Sequence, residues 1–176
     1  RIITEITFPK SMRWADLKLS FARPICYIAA VLGNQEIKFK LENIESCPYI
    51  AGHSFMSPEM IKIESADSYI QILKEAGVIA DIKQRKEAVK KEALKKAEEK
   101  GGALLNDPEL IDIVTNLVEY PYPVIGEFDK EFTKLPDQIL ITTMREHQKY
   151  FPVANEKDQL MPLFVAVNNT RVDDLD

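Results

Sequence analysis

What this chain has little of narrows its chemistry first. In 176 residues there are two histidines, two cysteines, one tryptophan and six glycines. Two cysteines cannot form the disulfide framework of a small secreted fold, and an unpaired Cys tends to be buried, so Cys26 and Cys47 are expected as buried free thiols. Six glycines leave little for a phosphate cradle, and neither a P-loop nor a G-x-G-x-x-G run is present. The G-x-S-x-G elbow of a serine hydrolase is missing too. Cys47 and His53 are separated by five residues, but structural zinc takes four ligands, commonly in close pairs, and no second close pair exists, so no metal site is expected. No apolar run approaches the roughly 20 residues that cross a bilayer, and Arg1-Ile2-Ile3-Thr4-Glu5 lacks the apolar core of a signal peptide. The expectation is a cytoplasmic protein with no membrane partner.

The rest of the composition is that of a globular chain, 45% hydrophobic and 29% charged. A chain of this length forms one sizeable core and buries roughly 70% of its unfolded surface, so residues 1–176 are expected as a single domain. A net charge of -5 argues against nucleic-acid binding through bulk charge. The charge is uneven. Residues 82–100 hold eight Lys or Arg against four Glu, so this segment carries +4 and the remainder -9. The start without Met, and the end directly after an apolar strand-like run, suggest a piece of a longer protein.

Patterning predicts interleaved strands and helices. Residues 2–6 are apolar enough to pack, followed by an anchored loop through Trp14. Residues 25–32 form a continuous apolar run of strand length, then Gly33 and Asn34 supply a turn and the alternating Glu36-Ile37-Lys38-Phe39 a partner, which is a hairpin signal. Residues 43–58 mix Gly, Ser, Pro and His without period, which fits an irregular loop or a short strand with a loop, and loops are where sites usually lie. Ile61-Lys62-Ile63 reads as a strand. Ser65 or Asp67 then caps a helix through Leu73 that stops at Gly77.

Asp81 caps the most clearly helical segment, 82–100, with a thin stripe of Ile82, Val89, Ala93 and Ala97, supporting pairs Glu87 with Lys91 and Glu92 with Lys96, and a stop at Gly101 and Gly102. Such a helix is read as a solvated face or, alternatively, as an RNA-binding one. Asp107-Pro108 opens another helix with Leu110, Ile113, Val114 and Leu117 inward, halted by Tyr120-Pro121-Tyr122-Pro123. A third starts at Pro136-Asp137, places Leu140, Met144, His147 and Phe151 at helical spacing, and ends at Pro152. A second hairpin closes the pattern: 151–154, a polar turn over 155–159, and a strand over 163–167. The fold class is α+β (mixed α/β), a sheet built from hairpins with flanking helices.

The chemistry concentrates in Thr142-Thr143-Met144-Arg145-Glu146-His147-Gln148-Lys149-Tyr150-Phe151-Pro152-Val153. A cation, an amide and an aromatic ring close together suit phosphate pairing, base-edge bonding and stacking, which makes Arg145, Gln148, Lys149 and Tyr150 candidate RNA contacts. Lys10, Arg13, Lys18 and Arg23 form a sparser basic group. The same segment can equally be a structural corner, with Glu146 paired to Lys149, Tyr150 packed on the hairpin, and His147 a hydrogen-bonded core residue. Any histidine chemistry must use His53 or His147. A hydrolytic site would need Ser54 or Cys47 to meet His147 across the fold.

The run ITTMREHQKYFPV resembles a signature of the β subunit of the bacterial two-subunit glycyl-tRNA synthetase. Phe8-Pro9-Lys10-Ser11-Met12-Arg13-Trp14, Phe21-Ala22-Arg23-Pro24-Ile25, Gly52-His53-Ser54-Phe55, Val114-Thr115-Asn116-Leu117-Val118-Glu119-Tyr120-Pro121 and Leu135-Pro136 match the same family in the same order. Where the family has Thr-Arg before its Gly-His and Arg after it, this chain has Ile50-Ala51 and Ser54, so no role of those basic side chains is carried over.

The resemblance implies an N-terminal fragment of a longer β subunit, with a fold like the B3/B4 module of phenylalanyl-tRNA synthetase β chains. It implies no catalytic residue and no cofactor here, since class II catalytic motifs are absent and ATP and Mg belong to a separate α subunit that also holds glycine. The partners it implies are glycine tRNA and that α subunit, in a heterotetramer of two α and two β subunits. Three roles follow for the fragment: tRNA support through Arg145, Gln148, Lys149, Tyr150 and Arg13; an editing-like hydrolytic module using His53, Ser54 and His147; or a scaffold.

Overall fold

The computed structural model describes residues 2–171. It is a mixed α+β chain of helices and several small sheets, as the patterning predicts. Its contacts gather into two compact units, residues 2–51 with Glu59–Ile72, and Gly52–Pro58 with residues 73–171.

In the first unit a short helix, α1 (Ile2–Glu5), leaves Ile2 exposed rather than packed. The loop after it is pinned by an isolated bridge between Met12 and Phe21 and by an edge-on contact of Phe8 with Phe21, ring centroids 4.6 Å apart. The run expected as one strand is broken at Ala30 into β1 (Ile28–Ala29) and β2 (Val31–Leu32). The predicted hairpin survives in shortened form: β2 pairs antiparallel with β3 (Gln35–Glu36) across Gly33, whose φ of +57° suits a tight turn.

The break frees β1 to pair in parallel with β5 (Ile44–Cys47), which pairs on its other side with β4 (Lys40–Leu41). Buried Ser46 fastens this sheet, donating to the Ile37 carbonyl at 2.8 Å and accepting the Phe39 N–H at 2.8 Å. β6 (Tyr49–Ala51) and β7 (Met60–Lys62) form a further antiparallel pair. Ser65 caps a 3-10 turn at Ala66–Ser68 by accepting the Asp67 N–H, and α2 (Tyr69–Glu75) follows, its last residues belonging to the second unit. Both cysteines are free, but the thiols are not the buried pair expected. Cys26 is exposed and Cys47 half-buried, because these short strands enclose little volume.

The second unit is a four-stranded antiparallel sheet with helices against it. Gly77, at φ +77°, ends α2. Asp81 accepts the Lys83 and Gln84 N–H groups at 2.8 and 2.9 Å and so caps α3 (Ile82–Glu98). Val89, Ala93 and Ala97 of its thin stripe are fully buried, whereas Ile82 at the first turn is exposed. Among the described residues its ion pairs are Lys86 with Asp112 and Lys96 with Glu99, and Lys100 just beyond it pairs with Glu127, in place of the expected Glu87–Lys91 and Glu92–Lys96 pairs. Gly101, at φ +71°, reverses the chain into β8 (Ala103–Leu104). α4 (Pro108–Leu117) follows. Leu110 and Val114 face inward, but Leu117 is turned out and Thr115 takes a buried position, its hydroxyl donating to the Ile111 carbonyl at 2.7 Å.

A strand the patterning missed comes next, β9 (Tyr122–Glu127). Pro123 argues against a strand in sequence, yet β9 lies at the sheet edge, where a residue without an N–H is tolerated. After a 3-10 turn at Lys130–Lys134, α5 (Asp137–Thr142) runs into a π-helical turn, Thr143–Gln148. β10 (Phe151–Ala154) and β11 (Leu160–Asn168) form the predicted second hairpin. The sheet order is β8, β10, β11, β9.

Pro152 does not end a helix. It lies buried inside β10, and the register slips between Pro152 and Ala154, a bulge that suits a residue with no donor for the ladder. On one sheet face Phe151, Val153, Leu163 and Val165 join Val89, Ala93, Ala97, Leu110 and Val114 in the core. Phe164, one residue out of step, serves the opposite face. Its ring spans Gly126, where an added Cβ would lie 2.3 Å from the ring edge. Leu110→Ala should cost about 2–5 kcal/mol, since this fully buried side chain cannot be replaced by collapse of a sheet and two helices around it. Urea unfolding of the variant beside the parent measures this, and a change under about 1 kcal/mol would contradict the core assignment.

Candidate functional site

The segment richest in chemistry is held by the joint it forms. An α-helical period would keep His147 beside Met144, but the i to i+5 bonding of the π turn rotates each residue through a smaller angle, so three steps stop short of the face of Met144. Met144 stays buried while His147 faces solvent, so His147 is not the core histidine expected. Lys149 then takes a left-handed conformation, φ +58°, and the Tyr150 N–H donates to the Met144 carbonyl at 2.9 Å. The helix ends there, and Phe151 is buried as a strand residue, not as the last member of a helical stripe.

Arg145 is the centre of this joint. Its Nε donates to Asp107 Oδ2 at 2.6 Å, and its two terminal nitrogens donate to Glu109 and Glu146. Lys149 lies 3.7 Å from the other oxygen of Glu146. Asp107 has a second duty: its Oδ1 accepts the Leu110 N–H at 2.9 Å and caps α4. One carboxylate thereby ties the start of α4 to the π turn. Partial burial pushes Asp107 up, but the Leu110 N–H and the Arg145 guanidinium outweigh it and hold the carboxyl below its ordinary range. Asp107, Glu109 and Glu146, in that order, raise the Arg145 pKa. Tyr150 stacks flat on Phe164, centroids 4.6 Å apart at 6°. Gln148 and Tyr150 also border an apolar cleft of about 230 Å³ with Phe128, Phe132, Leu140 and Met144.

The second motif, Gly52-His53-Ser54-Phe55, is a packed corner with an exposed tip. A Cβ on Gly52 would come within 2.5 Å of the Ala76 Cβ, so only glycine fits that approach. His53 is fully buried, and its N–H donates to the Ala76 carbonyl at 2.8 Å. Its Nδ1 accepts the N–H groups of Phe55 and Met56 at 3.2 and 3.4 Å, which leaves the ring proton on Nε2, 3.6 Å from Glu119 Oε2. The same loop exposes Ser54 and Phe55. His53 orients backbone, while Ser54 and His147 face solvent. Arg13 lies exposed in the first unit. Among the described residues no group of three or more His, Cys, Asp or Glu can hold a metal, and no helix is long and apolar enough to cross a membrane.

Sequence reasoning identified Asp107 as a cap and missed its bond to Arg145, since 38 residues separate them. It missed Arg85 altogether, which reads as one more charge on a charged helix. Arg85 in fact braces two carbonyls, donating from Nε to Thr115 at 2.9 Å and from a terminal nitrogen to Ile79 at 2.6 Å.

Asp107→Asn keeps a capping oxygen and removes the charge that Arg145 needs. It should lower stability at neutral pH by about 1–2 kcal/mol. Because the folded carboxyl titrates below the unfolded one, its contribution is complete above about pH 4 and is lost as pH falls through the lower folded value. Parent and variant should therefore converge in acid; urea unfolding at pH 7 and near pH 2.5 measures the gap, and an undiminished gap in acid would contradict the pairing.

Comparison with known proteins bears on the same residues. The family model described as glycyl-tRNA synthetase beta subunit matches residues 1–176. The glycine–tRNA ligase beta subunit of Desulforapulum autotrophicum is 54% identical over 176 residues, covering 99% of this chain and 25% of that protein. That of Desulfatibacillum aliphaticivorans is 50% identical over 173 residues, 98% of this chain and 25% of the relative. The protein of the same name from Clostridioides difficile is 41% identical over 167 residues, 95% of this chain and 24% of the relative. The chain spans about a quarter of the length of these relatives, and it belongs to the glycyl-tRNA synthetase beta subunit family.

Proposed function

We propose that this chain is a non-catalytic module of the β subunit of a glycine–tRNA ligase, serving ATP-dependent attachment of glycine to tRNA that is carried out with a separate α subunit. Within it, the segment 142–153 acts as a brace that holds helices to the sheet so that the module presents a fixed surface to tRNA. One observation carries this reading of the segment. Each of the three guanidinium nitrogens of Arg145 already bonds a carboxylate of its own chain, and only 25% of the side chain is exposed.

An arginine that meets phosphate is expected to offer its fork outward. Here the fork is spent inside. Lys149 beside Glu146 supports the same reading, because its charge is engaged locally. The editing-like alternative has less support, since His53 is enclosed and bonded to backbone and His147 faces solvent.

The test uses the full β subunit carrying this chain with its α subunit. Arg145→Ala should lower the melting temperature by several degrees, because the joint loses its charge-assisted bonds. It should leave the salt dependence of tRNA binding as in the parent. A melting temperature like the parent's, with the slope of log K against log salt reduced by about 0.7–0.9, would instead make Arg145 a phosphate contact.

A further inference from the structure

Two cavities of the second unit share a wall of aromatic rings. Tyr120 and Tyr122 stand face to face, centroids 5.0 Å apart at 28°. Both line a cavity of about 550 Å³ together with Phe55, Lys74, Gly77 and Arg171. Both also line a neighbouring cavity of about 590 Å³ that includes Lys96 and Arg171. Each volume is in the range of small-ligand sites.

The arrangement looks built to present rings. Phe55 is 81% exposed at the tip of the Gly52–Pro58 loop, although a phenylalanine loses roughly 1.5–3 kcal/mol by staying out of a core. The loop has no freedom to fold it in. The Phe55 N–H donates to buried His53 Nδ1, the Ser57 N–H donates to the His53 carbonyl at 2.8 Å, and a Cβ on Gly77 beneath would meet the Met56 side chain at 2.7 Å. On the opposite rim, Asn169 Oδ1 accepts the N–H groups of Glu119 and Tyr120 and fixes the first ring of the pair. The exposed Lys74 ammonium forms no ion pair or hydrogen bond among the described residues.

We propose that the cavity between Phe55 and the Tyr120–Tyr122 pair binds unpaired nucleotides of tRNA, with bases stacked on exposed ring surface and a phosphate met by Lys74. Rings with cations beside them are what single strands use, because every base has a π face and every linkage a charge. A duplex hides its base faces and cannot enter. Two adjoining cavities suit successive nucleotides better than one isolated nucleotide. The inference rests on the functional reading above and moves tRNA contact away from Arg145 and Lys149, whose charges are already engaged.

The experiment measures binding of 5′-labelled glycine tRNA to the full β subunit with its α subunit, over a salt series, for the parent, Phe55→Ala and Lys74→Ala. Both side chains are exposed, so folding should be unaffected, and thermal unfolding verifies it. Loss of one stacking ring should weaken binding roughly tenfold at every salt concentration. Loss of the lysine should weaken binding several-fold and reduce the salt slope by about 0.7–0.9. Parent-like binding in both variants would overturn the site. Glycylation by the unmodified assembly is a separate readout: its absence overturns the functional reading, whereas intact glycylation beside unchanged variant binding overturns only the site.

Discussion

Burial of a very narrow apolar stripe is the contact on which the second unit depends. α3 is charged around most of its circumference and offers chiefly Val89, Ala93 and Ala97 to the interior. Two of the three are alanines, so the helix can gain burial only by lying close to the sheet and letting longer side chains from the other side reach it. Phe151, Val153, Leu163 and Val165 from the sheet and Leu110 and Val114 from α4 do this, and all join one cluster. Had the stripe been wide and bulky, the helix would have stood further off. The turn at Gly101 and Gly102 is set by the same closeness: a Cβ at Gly102 would lie 2.4 Å from a Val153 methyl. The hydrophobic term is therefore delivered by few residues in tight contact, where a lost methyl is felt most.

With that core in place, the polar signature acquires its meaning. Arg145 reaches α4 only because α4 and the π turn are set against the same sheet. Its three carboxylate partners come from two places in the chain, Asp107 and Glu109 at the start of α4 and Glu146 beside it. Exposed ion pairs contribute little singly, but a planar fork shared among several carboxylates, one of which also caps a helix, joins two elements at a fixed angle. The left-handed Lys149 then turns the chain into β10, and Tyr150 lays its ring on Phe164, which covers Gly126. A dense motif can serve as a joint as readily as a contact surface.

The functional surface inferred for the unit is made by the opposite logic. Around Phe55 and Tyr120 the nearby polar groups are spent on backbone, and the Phe55 ring is left exposed at the cavity. His53 illustrates the division: a histidine that sequence presents as a candidate catalyst uses its ring nitrogen to fix a loop.

Local sequence determined what local physics governs. The caps at Ser65, Asp81 and Asp107, the stop glycines at 77 and 101, the thin stripe of α3 and both hairpins were legible because each depends on residues within a few positions of one another. So was the family, since ordered motifs survive without any fold. What tertiary structure alone decided was everything that depends on distant neighbours. β9 could be a strand despite Pro123 because it lies at an edge, and Pro152 could sit inside a central strand because a bulge absorbs its missing donor. His147 turned outward through a widened helical turn, and Cys26 was left exposed where short strands enclose little. Above all, whether Arg145 meets a phosphate or a carboxylate could not be read from its own segment, because the answer lies 36 and 38 residues away, at Glu109 and Asp107, and only packing brings them together.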